Sequence, residues 1–244
     1  MTKVKPKRFD FFFTCEHAGN QIPQRFRKLF GKNKGVLKTH RGWDPVAHEV
    51  GAMIAKKLAS PYIFTKLSRL VVDMNRSPES PTALSRWTKT LSLDDQAAIF
   101  DDYYHPYRHL IQNHVQHRLK NRRVIHFGMH SFSPYLDPAR VSCDIGILFD
   151  PKSRLETKIA ENLRSHLSRL FPDLGIRMNY PYRGDADGLT TDLRKKHGKR
   201  IYAGLEIEFN QAFLRKLKKR RSLSPFAFNF SVCLASTLAE LNAG

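Results

Sequence analysis

Short apolar runs alternate along this chain with stretches of helical periodicity. The runs are brief and rich in Phe, Val and Ile, which favours buried β-strands. They are Phe11–Cys15, Tyr62–Phe64, Leu70–Met74, Val124–Met129, Ile145–Phe149 and Ile201–Phe209. Between them, apolar residues recur at helical spacing over 43–58 and 155–170, and a last apolar segment spans Pro225–Leu241. These stretches predict helices.

A further helix is predicted from Ser92 towards Leu119. Ser92 and Asp95 have the three-residue spacing of an N-terminal capping pair. Pro106 interrupts the same stretch. Because proline lacks a backbone N–H, we expect it to kink or divide this helix.

Strands that alternate with helices predict an α/β fold in which a mostly parallel mixed sheet is covered on both faces. The 244 residues favour one three-layer α/β/α domain over 1–244, with a basic N-terminal tail at 1–9. Ligands of open α/β sheets bind beyond the carboxyl ends of the strands. The polar residues that follow strands are therefore the first candidates for a site.

The charge balance is the unusual feature of the composition. The 42 Lys and Arg residues against 22 Asp and Glu give a net charge of +20, which attracts anions. The basic residues form separate clusters without interleaved aromatic residues, so a solvated basic surface is favoured over a nucleic-acid interface. No apolar run has the length of a membrane span, so no membrane partner is expected.

The cysteines indicate the compartment. Cys15, Cys143 and Cys233 are few and widely spaced, which argues against a disulfide framework and against a zinc ribbon. A reducing cytoplasmic location fits this pattern.

Two histidines directly follow predicted strands. His17 comes after the run that ends at Cys15, and His130 comes after Val124–Met129. The carboxyl ends of parallel strands meet at one edge of a sheet, so these imidazoles can share a cleft. Neutral imidazoles are good zinc ligands, and a catalytic zinc ion takes three protein ligands. The pair therefore predicts a metal site.

The third metal ligand is not fixed by the sequence. Asp44 is the preferred choice, as an acidic residue at the start of a predicted helix. An ordinary N-cap aspartate would occupy the same position. Glu16 and Asn20 compete for the role because each lies near His17.

A cationic segment follows the predicted strand Leu70–Met74. Asn75 and Arg76 form a plausible anchor for a substrate carboxylate, because the guanidinium group binds carboxylates through two parallel hydrogen bonds. The competing interpretation is an ion pair between Asp73 and a neighbouring arginine. Arg69 and Arg183 are further candidates for substrate binding, the latter in a turn-rich loop.

Two carboxylates lie two residues apart in the last predicted strand. The spacing places Glu206 and Glu208 on one face of an otherwise apolar run. Burial raises the pKa of a carboxyl group towards the neutral range, which suits a general base. The alternative is that both carboxylates form ion pairs in this basic protein.

The ordered set of motifs resembles the N-formylglutamate amidohydrolase family, from about residue 14 to the end of the last strand. The motifs are Cys-Glu-His-Ala-Gly-Asn, His-Arg-Gly-Trp-Asp-Pro, Asp-Met-Asn-Arg-Ser, Tyr-His-Pro-Tyr, His-Ser-Phe-Ser-Pro, Asp-Ile-Gly-Ile-Leu-Phe-Asp, Asn-Tyr-Pro-Tyr and Leu-Glu-Ile-Glu. The resemblance implies a zinc-carboxypeptidase-like (phosphorylase/hydrolase-like) fold, shared with aspartoacylases.

The same resemblance implies roles for individual residues. His17 and His130 match metal ligands, Asn75 with Arg76 matches the carboxylate anchor, and Glu208 matches the general base, with Glu206 as the alternative. The wider group carries a Glu three residues after the first His, where this chain has Asn20. That departure leaves the third ligand open.

The function implied is a zinc-dependent amidohydrolase that cleaves the amide of a small acidic N-acyl amino acid such as N-formylglutamate. Its zinc-activated water would be deprotonated by a Glu. One alternative is a metal-dependent deacylase or peptidase that acts on another acyl amino acid or peptide. An alternative of another class is a basic nucleic-acid-binding protein on a hydrolase scaffold.

Overall fold

The computed structural model describes residues 8–136 and 139–243. Its strands are β1 (Phe9–Cys15), β2 (Tyr62–Phe64), β3 (Arg123–Phe132), β4 (Tyr135–Leu136), β5 (Ala139–Arg140), β6 (Ile145–Leu148), β7 (Ile176–Met178) and β8 (Tyr202–Asn210). Its α-helices are α1 (Arg27–Phe30), α2 (Ala47–Lys57), α3 (Leu93–Ile99), α4 (His105–Leu119), α5 (Arg154–Leu170), α6 (Leu189–His197), α7 (Gln211–Lys219) and α8 (Leu223–Ala243).

Six of these strands form one mixed sheet in the order β2-β1-β3-β8-β6-β7. Strands β2, β1, β3 and β8 are mutually parallel, whereas β6 pairs antiparallel with β8 and parallel with β7. The predicted mostly parallel mixed sheet is therefore confirmed. In the β3–β8 register, His130 pairs with Glu208 and Gly128 pairs with Glu206, so both glutamates lie beside β3.

Helices cover both faces of the sheet. On one face, buried residues of α2, α5 and α8, such as Ile54, Leu163 and Phe230, pack against alternate residues of the strands. On the other face, Ile111 of α4 and Leu193 of α6 pack in a second buried cluster. Successive strand side chains point to opposite faces, so each central strand contributes to both layers. This is the predicted α/β/α arrangement.

One predicted strand is wrong. Leu70–Met74 forms turns, and within it only Val72 makes a β-bridge, to Leu84. Its apolar side chains are buried in the second cluster, which explains the strand-like pattern. Asp73, within the segment, accepts a hydrogen bond from Arg69 and lies against His17, and these contacts hold the backbone in a turn instead of in the sheet.

The helical stretch from Ser92 is divided as expected. The Ser92 hydroxyl accepts a hydrogen bond from the Asp95 backbone N–H, which confirms the cap. A π-helical segment at Phe100–Tyr104 separates α3 from α4, and Pro106 lies in the first turn of α4.

The predicted N-terminal tail and the predicted last helix lie at the two ends of the chain. Most of the tail predicted at 1–9 lies outside the described residues, and Phe9 is the buried first residue of β1. The predicted last helix is confirmed as α8. Among the described helices, none is long and apolar enough to cross a bilayer.

Candidate metal centre and catalytic cavity

A cavity of about 410 Å³ opens at the carboxyl ends of β1, β3 and β8. Each side chain predicted from the sequence as a site residue lines it: His17, Asp44, Arg69, Asn75, Arg76, His130, Arg183, Glu206 and Glu208. These residues come from six separate stretches of the chain. The sheet and its connecting loops therefore bring the candidates together in one place.

Three of these side chains have the arrangement of a metal site. His17, Asp44 and His130 each present one ligand atom, and these atoms lie within 4.8 Å of one another. The Asp44 Oδ2 atom is 3.4 Å from His17 Nδ1 and 3.2 Å from His130 Nδ1. All three side chains are buried. Two imidazole nitrogens and a carboxylate oxygen form a donor set that suits zinc.

Asp44 does not cap a helix. Helix α2 begins three residues later at Ala47, and its N-terminal flanking residue is Val46. The Asp44 Oδ2 atom instead accepts a hydrogen bond from the Ser131 backbone N–H, and the Asp44 N–H donates to the His17 carbonyl. Val46 has a φ of 71°, a strained conformation for a β-branched residue. The chain thus turns sharply to direct Asp44 at the histidines.

A carboxylate lies against the second nitrogen of each histidine. His17 Nε2 is 2.7 Å from Asp73 Oδ1. His130 Nε2 is 3.0 Å from Glu16 Oε2, off the ideal hydrogen-bond direction. Glu16 in turn accepts a hydrogen bond from the Tyr107 hydroxyl. Such partners fix the orientation of an imidazole and would leave its Nδ1 free to bind a metal ion.

The neighbouring carboxylates raise the pKa values of both histidines, against the effect of burial. Burial alone would lower the pKa of His130, but the carboxylates of Asp44 and Glu16 raise it well above its ordinary value. The His17 pKa is also raised, against both burial and the Arg69 charge, by Asp73 and Asp44. A metal ion bound here would displace protons, so its binding would depend on pH.

The two glutamates of β8 differ in their surroundings. Glu206 Oε1 accepts hydrogen bonds from Asn75 Nδ2 at 3.3 Å and from the Thr190 hydroxyl at 3.2 Å. Glu208 Oε2 is buried and has no hydrogen-bond partner among the described residues. Burial raises the Glu208 pKa to about 8. Glu208 is therefore the carboxyl group with a free oxygen and a pKa close to neutrality.

The three arginine side chains of the cavity differ in the contacts that hold them. Arg69 is held by Asp73 at 2.6 Å, and its other terminal nitrogen is 3.8 Å from Asp44 Oδ1. Arg76 donates to the Asp187 carbonyl at 3.0 Å. Arg183 is 69% exposed and forms an ion pair with Asp185 at the cavity rim.

The amide of Asn75 is already engaged. Besides its contact with Glu206, its Oδ1 accepts a hydrogen bond from the Leu189 N–H at the start of α6. In this arrangement Asn75 positions Glu206 and α6, and a substrate carboxylate would have to replace one of these contacts.

The loop over residues 179–188 closes one side of the cavity. Asn179 anchors it, because its Oδ1 accepts hydrogen bonds from the N–H groups of Phe149 and Gly184. The loop backbone packs directly on β6, where a Cβ at Gly146 would lie 2.2 Å from the Tyr180 carbonyl oxygen. Only glycine permits this approach. Tyr182 of the loop lines the cavity.

The family model for N-formylglutamate amidohydrolase matches residues 9–215. The chain belongs to the N-formylglutamate amidohydrolase family. No curated protein matched in a separate comparison.

The solved structures that are similar to this family member over nearly its whole length include two with TM-scores above 0.5. The gene product Atu2144 from Agrobacterium tumefaciens has 26% sequence identity and a TM-score of 0.81, over 96% of this chain and 92% of that one. The N-formylglutamate amidohydrolase from Ralstonia eutropha JMP134 has 12% identity and a TM-score of 0.68, over 98% and 96%. At 12% identity, the similarity to the Ralstonia eutropha structure shows only that the fold is shared.

Several site residues of this amidohydrolase-family chain were missed or misjudged from the sequence. Glu16 was considered as a metal ligand, and the structure places it behind His130 instead. Asp73 was considered only as a partner of arginine, and it also contacts His17. Thr190 was not singled out, and Tyr107 entered only as part of the Tyr-His-Pro-Tyr motif, because each lies on a helix distant in sequence from the residue that it contacts.

Proposed function

We propose that this protein is a zinc-dependent amidohydrolase that cleaves the amide bond of a small acidic N-acyl amino acid, with N-formylglutamate as the first candidate. The observation that carries the proposal is the convergence of His17, Asp44 and His130 beside the free carboxyl group of Glu208. Membership of the family supports the reaction class.

The residues fit a bound zinc ion by their chemistry. His17 and His130 would offer Nδ1 atoms, and Asp44 would offer Oδ2. A zinc ion held there would lower the pKa of a water molecule and polarise the scissile carbonyl. Glu16 and Asp73 would keep the two imidazoles in the orientation that binding requires.

Glu208 is proposed as the general base. Glu208 lines the cavity and one of its oxygens has no hydrogen-bond partner among the described residues, so this carboxyl group can accept the proton of the attacking water and return it to the leaving nitrogen. Its raised pKa makes both transfers possible near neutral pH. Glu206 is proposed as a positioning residue, since its Oε1 is already hydrogen-bonded to Asn75 and Thr190.

The cationic wall is proposed to select the substrate. Arg76 and Arg69 line the cavity together with Asn75, and Arg183 lies at its rim. Guanidinium groups bind a substrate carboxylate and fix the scissile carbonyl relative to the base. We retain the cytoplasm as the proposed location, because the three cysteines are buried free thiols in the structure.

Hydrolysis assays with and without metal test this function. The purified protein is stripped with a chelator, reloaded with zinc, and assayed with N-formylglutamate, N-acetylglutamate, N-formylleucine and a short acyl peptide. Activity that disappears with the chelator, returns with zinc and favours the acidic acyl amino acids is expected. Faster cleavage of the peptide would favour the peptidase alternative, and activity unaffected by chelation would refute the metal-dependent proposal.

A further inference from the structure

A second and larger cavity lies outside the catalytic one. Its volume is about 1230 Å³, and it is lined by residues of 20–24, 27–38 and 65–67 together with Tyr103. We name it the basic cleft. The loops after β1 and β2 line both cavities, because they supply His17 and Arg69 to the catalytic cavity and neighbouring residues to the cleft.

The charge of the basic cleft is of one sign. Arg27, Lys28, Lys34, Lys38 and Lys66 line it, and its described lining contains no Asp or Glu. None of these five has a carboxylate within 4.0 Å in the described part of the chain, whereas Arg69 and Arg183 of the catalytic cavity are ion-paired. Arg27 donates a hydrogen bond to the Ile22 carbonyl, and the four lysines remain available to an anion from outside the chain.

The cleft also offers apolar and aromatic surface. Ile22 and Phe30 are buried beneath it, and Leu37, Leu67 and Tyr103 are partly exposed in its lining. A ligand that carries only phosphate or carboxylate groups would leave this surface unused. A ligand that combines anionic groups with flat rings would use both surfaces.

The size of the cleft indicates an extended ligand. Its volume of about 1230 Å³ exceeds the roughly 300–1,000 Å³ of usual small-molecule pockets. Single-stranded nucleic acid has the required chemistry, because its phosphates need cations and its unstacked bases need an aromatic or apolar surface. The net charge of +20, which exceeds what capture of a small acid requires, points the same way.

We propose that the basic cleft binds a short segment of single-stranded nucleic acid, with the phosphates against Lys34, Lys38 and Lys66 and a base against Tyr103. A duplex does not fit this proposal, since its bases are stacked inside and cannot reach the apolar surface. The inference is independent of the proposed hydrolysis, because it uses no residue of the catalytic cavity.

The test measures binding by the full-length protein. A fluorescein-labelled oligouridylate of about twelve nucleotides is titrated at several salt concentrations and followed by fluorescence anisotropy. The triple variant Lys34→Ala, Lys38→Ala, Lys66→Ala loses three phosphate contacts. At about 0.7 per contact, the slope of log affinity against log salt falls by about 2, and affinity near 0.1 M salt falls by about 100-fold.

The matched control removes the same charge elsewhere. The triple variant Arg215→Ala, Lys219→Ala, Arg220→Ala changes exposed residues at α7, outside the cleft. Its affinity is expected to change by less than about threefold. Equal losses in the two triple variants would overturn the proposal, because binding would then follow overall charge.

A second variant tests the base contact. Tyr103→Leu keeps apolar volume and is expected to weaken oligouridylate binding about tenfold without a change in the salt slope. Inorganic polyphosphate of matched charge should compete poorly. Equal competition by polyphosphate together with unchanged binding by Tyr103→Leu would overturn the assignment to nucleic acid, and tighter binding of a duplex would overturn the single-stranded form. Thermal unfolding of each variant checks that it is folded. If Tyr103→Leu proves unstable, the salt dependence of binding by the lysine triple variant still decides the test.

Discussion

Replacing Glu208 by Gln is expected to stabilise the metal-free protein while it abolishes turnover. The Glu208 carboxyl group is buried, with one oxygen unpartnered, and burial raises its pKa from 4.5 to about 8. In the unfolded chain it ionises from pH 4.5 upwards. Its contribution to stability is therefore complete below pH 4.5 and is lost as pH rises to about 8.

The size of this effect follows from the shift. One pH unit corresponds to about 1.4 kcal/mol, so the 2.5 units between pH 4.5 and pH 7 give about 3 kcal/mol. Gln cannot ionise and avoids this loss, although its amide also has to be buried. We therefore expect Glu208→Gln to exceed the wild type in unfolding free energy by about 1–3 kcal/mol at pH 7, and by much less at pH 4.5.

Urea unfolding of chelator-treated protein at several pH values measures this difference, and turnover of the zinc-loaded variant should fall by about 10²–10⁴-fold. The matched control is Glu206→Gln, whose amide oxygen can still accept the hydrogen bonds from Asn75 and Thr190, so its stability should change by less than about 1 kcal/mol. If the unfolding free energy of Glu208→Gln has the same pH dependence as that of the wild type, the pKa of Glu208 is not raised by burial. Its role as the general base would then lose its physical support. Loss of turnover only in Glu206→Gln would exchange the two roles.

Four further variants examine the surroundings of the site. Glu16→Gln and Asp73→Asn should each weaken zinc affinity about 10- to 100-fold in a chelator competition, because each removes the carboxylate behind a ligating histidine; unchanged affinity would mean that these carboxylates do not support the ligands. Arg76→Ala should raise KM for acidic substrates more than for neutral ones, and an equal rise for both would contradict the carboxylate anchor. Burial lowers the pKa of His126 to about 3, so its neutral form is favoured in the fold and stability should decline as pH falls from 6.5, by about 2 kcal/mol at pH 5. Unfolding of His126→Gln should lack most of that decline, and a decline as large as that of the wild type would show that another group is responsible.

The parts of the fold that were predictable are those with strong local patterns. The apolar runs of β1, β3 and β8 are buried on both faces, and such runs are easily recognised as central strands. Because their carboxyl ends share one edge, His17, His130 and Glu208 could be placed together from sequence alone.

Leu70–Met74 shows where the local pattern misleads. It has the apolar content of a buried strand and is buried, but its backbone forms turns. The contacts that hold it there come from distant parts of the chain, such as that of His17 with Asp73. Contacts between residues so far apart in the chain cannot be predicted from the local sequence pattern.

The distinction between the two β8 glutamates also needed the structure. Their two-residue spacing gives them the same face, and only the donors from Asn75 and Thr190 separate their roles. Glu16 is a similar case, because its position next to His17 suggested a shared metal whereas its carboxylate lies against His130.

Zinc titration tests the central claim, that His17, Asp44 and His130 form one metal site, most directly. Chelator-treated wild-type protein, His130→Ala and the control His109→Ala, which changes an exposed histidine of α4, are titrated with zinc by calorimetry. The account predicts one tight equivalent in the wild type and in the control, and loss of that equivalent in His130→Ala. Full retention of tight binding by His130→Ala would contradict the account.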